Sequence, residues 1–435
     1  MSNQNKRIRP LSRGLQGDVA IPGDKSISHR SIMLSSLADT EVHITNFLHA
    51  QDCLSTAKCF AALGADIKFL ADTELTVKGH GLHGLHEAAG ILDAGNSGTT
   101  LRLMLGLMAA QPFLTTFTGD ASLSQRPMGR VIKPLTAMGA RIYGREQNTK
   151  LPITVVPAVG KLQGTCYHSP VASAQVKSAL LLAGLYAEGA TTVVEPYVSR
   201  NHTERMLAAF GVTTECEGTA VTVRPVQRLT APAEIEVPGD ISSAAYWLVA
   251  GSIIPGSRLC LHNVGVNETR TGILEVLSNM GASLELRNQR ESCGEAAADI
   301  VVTASRLHGV TFGGSIMPRL IDEVPIIAVA AMLADGDTVI NDAGELRVKE
   351  TDRLQAIHDE FNKIAPGSVE IDGDTMVIHG GRPCHAAEVS SYDDHRMAMS
   401  LAILGAAAAG AEIQNGDCVN ISYPEFYDTL ARLAD

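Results

Sequence analysis

The chain has 435 residues, 45% of them hydrophobic and 19% charged, an ordinary balance for a soluble globular protein with room for two separate cores. Its net charge of −12 argues against a general nucleic-acid or membrane-surface binder, so an anionic ligand must be met by a local cluster of cations. Its 8 cysteines contain no C-x-x-C pair, which excludes a zinc framework or dense disulfide scaffold and leaves free thiols in a reducing cytoplasm as the expectation.

In chain order, Met1 to Gly14 is polar and basic, unlike a signal peptide. Short β-branched segments then predict strands at 41–45, 114–118, 191–195, 257–262, 337–341 and 411–414. After each, a polar loop opens into an amphipathic helix, near Asp52, Arg126, Asn201, Glu268, Lys349 and Tyr423. Four of these helices end alike: Leu63-Gly64-Ala65, Met138-Gly139-Ala140, Phe210-Gly211-Val212 and Met280-Gly281-Ala282. Glycine just past the last apolar residue is a helix stop, and its return about every 70 residues marks an internal repeat. The apolar run from Met397 to Ala409 is too short to span a membrane and reads as a buried helix.

The repeat is β-α-β-α-β-β, so the expected fold is α/β, with three units in each of two similar domains. The Pro22-Gly23-Asp24 turn has a counterpart in Pro238-Gly239-Asp240, and each leads into a Ser-rich helix start. The chain is expected to cross between domains near Ala20 and Val237. That gives residues 20–237 as the first domain and 1–19 plus 238–435 as the second.

The copies differ where chemistry is expected. The first carries Lys25 and Arg30 where the second has Ile241 and Tyr246. A turn feeding a helix offers free N–H groups and the positive end of the dipole, an anion seat that Lys25, Ser26 and Arg30 would reinforce. The glycine spacing is not that of a P-loop. Taken alone, the segment reads equally well as a capped helix with solvated cations. The same two readings attach to Gly95-Asn96-Ser97-Gly98, to Arg126-Pro127, to Ser173-Ala174-Gln175-Val176-Lys177 with Arg200, to Asp322, to Lys349-Glu350-Thr351-Asp352-Arg353, and to Asp394-His395-Arg396. Arg126 before Pro127 suits a first helical position, and Lys349 and Arg353 are spaced one helical turn apart. Together, so many cationic helix starts favour two phosphate-bearing substrates in a cleft between the domains. His80, His83 and His86 have metal-like spacing but no cysteine or carboxylate to complete a site, and no metal is expected.

In order, these segments resemble the enolpyruvyl transferase family, and within it the shikimate 3-phosphate branch of the second bacterial class. The resemblance implies a fold of six units in two domains and a reaction without cofactor. The 5-hydroxyl of shikimate 3-phosphate attacks C2 of phosphoenolpyruvate, and the resulting tetrahedral ketal expels phosphate. It implies shikimate 3-phosphate contacts from Lys25, Ser26, Arg30, Ser173, Ala174, Gln175, Arg200, Asp322 and Lys349. For phosphoenolpyruvate it implies Lys25, Gly98, Arg126, Gln175, Arg353 and Arg396. Asp322 would be the general base, and Glu350 an acid with a raised pKa; Lys25 completes the catalytic set, while Asn96 and His395 lie beside the reacting centre. The partners implied are these two small molecules, with no nucleic acid or membrane, for a cytoplasmic monomer of aromatic amino acid biosynthesis that is a glyphosate target. Gly98→Ala is expected to discriminate against glyphosate. One departure stands out: Ile421 precedes Ser422-Tyr423-Pro424, where many members carry lysine. A UDP-N-acetylglucosamine transferase would need a cysteine between Gly119 and Arg126, where Ala121 and Ser122 stand. A non-catalytic phosphometabolite binder would not need Asp322 and Glu350.

Overall fold

The computed structural model describes residues 4–435. They pack as two compact units, one made of Gly23–Pro238 with Glu291–Glu295, the other of residues 4–22, Gly239–Arg290 and Ala296–Asp435. The chain thus passes between units at Pro22–Gly23 and Pro238–Gly239, and returns briefly to the first unit at Glu291–Glu295.

In the first unit, helices Lys25–Ser36, Gly98–Met108 and Ala174–Gly184 are buried almost all round, as expected of helices at the centre of a core. The second and third approach closely because Gly106 has no side chain; a Cβ there would lie 2.1 Å from the Ala179 carbonyl oxygen. Three four-stranded sheets cover them. The strand order in the first is Glu234–Glu236, Glu41–Thr45, Glu74–Lys78, Asp66–Ala71, parallel at its first pair and antiparallel thereafter. Alternation along Glu41–Thr45 turns Val42 and Ile44 into the core and leaves Glu41 outside.

The second unit repeats the plan with helices Ile241–Ile253, Val324–Met332 and His395–Ala407. Its sheets borrow from the start of the chain. Gln16–Ala20 pairs in parallel with Arg258–Gly265, and Lys6–Ile8 forms an antiparallel edge on Ala411–Gln414. The sheet containing Lys6–Ile8 has three strands.

The four glycine stops take positive φ, from 79° at Gly211 to 102° at Gly139. In each the following N–H reaches back five residues, as in Ala65 to the Phe60 carbonyl at 3.0 Å and Ala282 to Leu277 at 2.9 Å.

Four helix starts fall three or four residues late: those expected near Glu268 and Tyr423 open at Gly272 and Phe426, and the other two have a physical cause. Arg126 does not open a helix: Asp120 caps a short helix at Ala121–Gln125, Arg126 leaves it extended, and the next helix begins at Gly129. The cause is Pro127, whose ring disfavours the helical region for the residue before it. Lys349 is also extended, because Asp352 caps the helix Arg353–Ile364 and leaves Lys349 outside it. The one-turn spacing of Lys349 and Arg353 therefore does not operate.

Candidate active site

In the first unit most of the expected site residues gather at the starts of the three central helices. Asp24, Ser97 and Ser173 are the caps, their side-chain oxygens accepting from the N–H groups of Ile27, Thr100 and Val176. Lys25, in the first helical turn, forms a salt bridge with the buried Asp52. The Asp52 carbonyl in turn accepts from Thr100 Oγ1 at 3.4 Å, tying the first two helix starts together. Gln175 joins the second and third, donating to Thr99 Oγ1 at 3.0 Å and accepting from Arg102 Nη1. Arg126 donates to Asn96 Oδ1 at 2.8 Å, and Asn96 donates to Asp120 Oδ2 at 2.6 Å. A Cβ on Gly98 would meet Arg102 Nη1 at 3.0 Å and Arg126 Nη1 at 3.6 Å, so that glycine lies against two guanidinium groups. Arg102, one turn after Gly98 on the same helix, had no expected role; a lone cation in that otherwise uncharged helix was the available signal.

Arg30 is placed differently from a surface ligand donor. It is buried, and it donates to Thr203 Oγ1 at 2.7 Å, Ser178 Oγ at 2.8 Å and the Ser26 carbonyl at 2.9 Å. Burial pushes its pKa down to about 10 against the pull of Glu204 and Asp24. Arg30 thus braces Ser26 against the third helix. His29 beside it is buried too, with its Nδ1 2.7 Å from Thr56 Oγ1. Ser26, Ser173, Ala174, Gln175 and Arg200 are half-buried.

In the second unit the expected residues converge on Asp322. Its Oδ1 lies 3.2 Å from Lys349 Nζ and 3.3 Å from Arg353 Nη1, and its Oδ2 lies 3.9 Å from Arg396 Nη2. Arg353 is buried and uses its whole fork. Nε pairs with Asp394 at 2.8 Å, and Nη2 reaches Glu350 Oε2 at 2.6 Å. Burial opposes the charge on Arg353, but Asp394 and Glu350 outweigh it and hold the pKa above the ordinary guanidinium value. For Arg396, too, burial is outweighed, by Asp322 with Tyr246 and Glu323. Asp394 also caps the His395–Ala407 helix, which fixes Arg396 in its first turn. Glu350 here is an ion-pair partner of Arg353, so delivering a proton requires that it leave this pair. His395 is buried at the same helix start. Ile421 closes a 3-10 helix, Gly416–Ile421, and packs on the core, where it offers no charge.

Among the described residues, one group has the size of a metal site: Asp18, Cys260 and His262 on neighbouring strands. His80, His83 and His86 form no such group. All 8 cysteines are free, and no described helix is long and apolar enough to cross a membrane.

A family model described as EPSP synthase (3-phosphoshikimate 1-carboxyvinyltransferase) matches residues 11–430. The chain belongs to the EPSP synthase family. A curated 3-phosphoshikimate 1-carboxyvinyltransferase from Bacillus cereus is 50% identical over 432 residues, 99% of this chain and 100% of that protein. One of the same name from Bacillus anthracis is also 50% identical over 432 residues, with the same coverage. The solved EPSP synthase from Acinetobacter baumannii superposes with a TM-score of 0.88 at 41% identity, covering 98% of this chain and 97% of that one. The enolpyruvyl transferase NikO from Streptomyces tendae gives 0.78 at 17% identity, covering 99% and 97%, a likeness of fold alone. The two-domain α/β architecture is thus shared across EPSP synthases and their enolpyruvyl transferase relatives.

Proposed function

We propose that this chain moves the enolpyruvyl group of phosphoenolpyruvate onto the 5-hydroxyl of shikimate 3-phosphate and releases phosphate. The observation that carries the reading is the pair of carboxylates on one guanidinium: Asp322 on Nη1 of Arg353 and Glu350 on Nη2. Addition to an enol phosphate needs a proton taken from the attacking hydroxyl and another delivered to the methylene carbon. Arg353 brings both to one place: Asp322, kept ionised by its cations, is the base, and Glu350 becomes the acid once it is protonated and released from Nη2.

In the proposed first step Asp322 takes the 5-hydroxyl proton, the oxygen bonds to C2, and Glu350 gives its proton to C3, which becomes a methyl group. In the second, Glu350 takes back a proton from the methyl group, the double bond re-forms, the C2–O bond to phosphate breaks, and the departing phosphate carries off the proton that Asp322 took. Lys25, Arg126, Arg353 and Arg396 would meet the phosphate and carboxylate of phosphoenolpyruvate, with Gly98 and Gln175 beside them. Lys25, Ser26, Ser173, Ala174, Gln175, Arg200, Asp322 and Lys349 would hold shikimate 3-phosphate, with Arg30 acting by bracing Ser26. All of these lie on one chain, and a monomer is the proposed working form.

A phosphate-release assay tests this reading. Release is expected when both substrates are present and not when either is omitted. Release from phosphoenolpyruvate alone, or none with both, would overturn it.

A further inference from the structure

Lys177 follows the Ser173-Ala174-Gln175 turn and plays no part in the chemistry above. Its side chain is 1% exposed and lies between two carboxylates. Its Nζ lies 2.7 Å from Glu204 Oε1 and 3.2 Å from Glu195 Oε2, on side chains 6% and 2% exposed. It also donates to the Ser199 carbonyl at 3.3 Å. A charge triad out of water incurs a large desolvation cost, and apolar residues of similar volume are often as stable or more so. Its geometry suggests what the triad does instead.

Glu195 works with both oxygens. Oε1 accepts from the Ser173 backbone N–H at 2.7 Å. Oε2 accepts from the Ser199 hydroxyl at 2.7 Å and from the Ser199 N–H at 3.4 Å. One carboxylate therefore clips together two loops: the turn that opens the third central helix and the segment that presents Arg200. Those loops carry Ser173, Ala174, Gln175 and Arg200, proposed above as ligands of shikimate 3-phosphate. Glu204, on the far side of Lys177, is also the leading charge that supports Arg30, the brace of Ser26. The triad thus holds the Ser173 and Arg200 segments directly and bears on the Ser26 segment through charge alone.

We infer that Glu195 and Lys177 are positioning residues that set the spacing of the Ser173 turn and Arg200, and thereby the affinity for the phosphorylated ring substrate far more than that for phosphoenolpyruvate, which these two loops meet through Gln175 alone. Lys177 holds the Glu195 carboxylate in place; Glu195 holds the two loops. This inference rests on the shikimate 3-phosphate reading.

The test compares wild type with Glu195→Gln, Lys177→Met and Ser199→Ala in steady-state assays varying each substrate, with calorimetric titration of shikimate 3-phosphate. Glu195→Gln and Lys177→Met should each raise the KM for shikimate 3-phosphate about tenfold or more, the loss expected when a charge-assisted contact is misplaced. The KM for phosphoenolpyruvate should stay within about twofold, since uniform destabilisation would move both. Ser199→Ala removes one hydroxyl contact and leaves the buried charges intact, so it keeps the question answerable if the charge variants do not fold. It should raise the same KM about threefold, as loss of one neutral hydrogen bond does. Equal effects on both substrates, or none in Ser199→Ala, would overturn the inference. Absence of turnover in the wild type would instead overturn the functional reading beneath it.

Discussion

Asp322 is the residue on which most of the chemistry depends. Lys349, Arg353 and Arg396 surround it, and full removal would strand buried cations. Asp322→Asn keeps the shape and removes the base. It should lower kcat by at least about 100-fold, as loss of a general base does, while calorimetric binding of shikimate 3-phosphate changes only a few-fold. Unchanged kcat would remove Asp322 from the mechanism. At Gly98 the added methyl of Gly98→Ala would press on Arg102 and Arg126. It should weaken glyphosate inhibition more than it raises the KM for phosphoenolpyruvate, because the bulkier anion tolerates less loss of room; a parallel loss of both would contradict this. His29 is a stability switch. Burial, reinforced by Lys25 and Arg30 and opposed by Asp52, lowers its pKa from 6.5 to about 3. Between those values the unfolded chain binds a proton that the folded chain refuses. Stability present above pH 6.5 is therefore lost as pH falls toward 3, at about 1.4 kcal/mol per unit. Denaturant unfolding at pH 7 and pH 5 should show wild type losing about 2 kcal/mol more than His29→Gln. Equal losses would show that His29 does not remain neutral in the fold.

At the scale of elements, the glycine stops were the most legible feature, since only a residue without Cβ takes these positive φ angles cheaply. Gly139 isolates that effect. It has φ 102°, and a Cβ there would have no heavy atom within 4 Å, so Gly139→Ala adds strain without a clash. It should cost about 1–2 kcal/mol of unfolding free energy and leave turnover unchanged. No loss of stability would mean that the helix end relaxes instead. The Pro-Gly-Asp turns were equally readable, because Asp24 and Asp240 cap their own helices within three residues. Arg126 and Lys349 were misread because periodicity and spacing say nothing of tertiary partners. Pro127 pulls Arg126 out of the helix, and Lys349 meets Arg353 through Asp322, which lies 27 residues earlier than Lys349.

At the scale of the molecule, the duplication was legible because each repeat carries its own strand and stop signals. What the sequence pattern does not show is which residues the repeats bring together. Lys177 closes the Ser173 segment, but nothing in that segment points to Glu195, which belongs to no motif; only the fold shows one carboxylate holding Ser173 and Ser199. The same holds for Arg353 and Asp394, which lie 41 residues apart. The central claim is that phosphate leaves phosphoenolpyruvate by rupture of its C2–O bond after a carbon-centred addition. It is tested most directly with phosphoenolpyruvate carrying heavy oxygen at the bridging position, turned over with shikimate 3-phosphate and followed by mass spectrometry. The label should appear in the released phosphate. Label retained in the organic product would mean that the phosphorus–oxygen bond breaks instead, and would contradict the account.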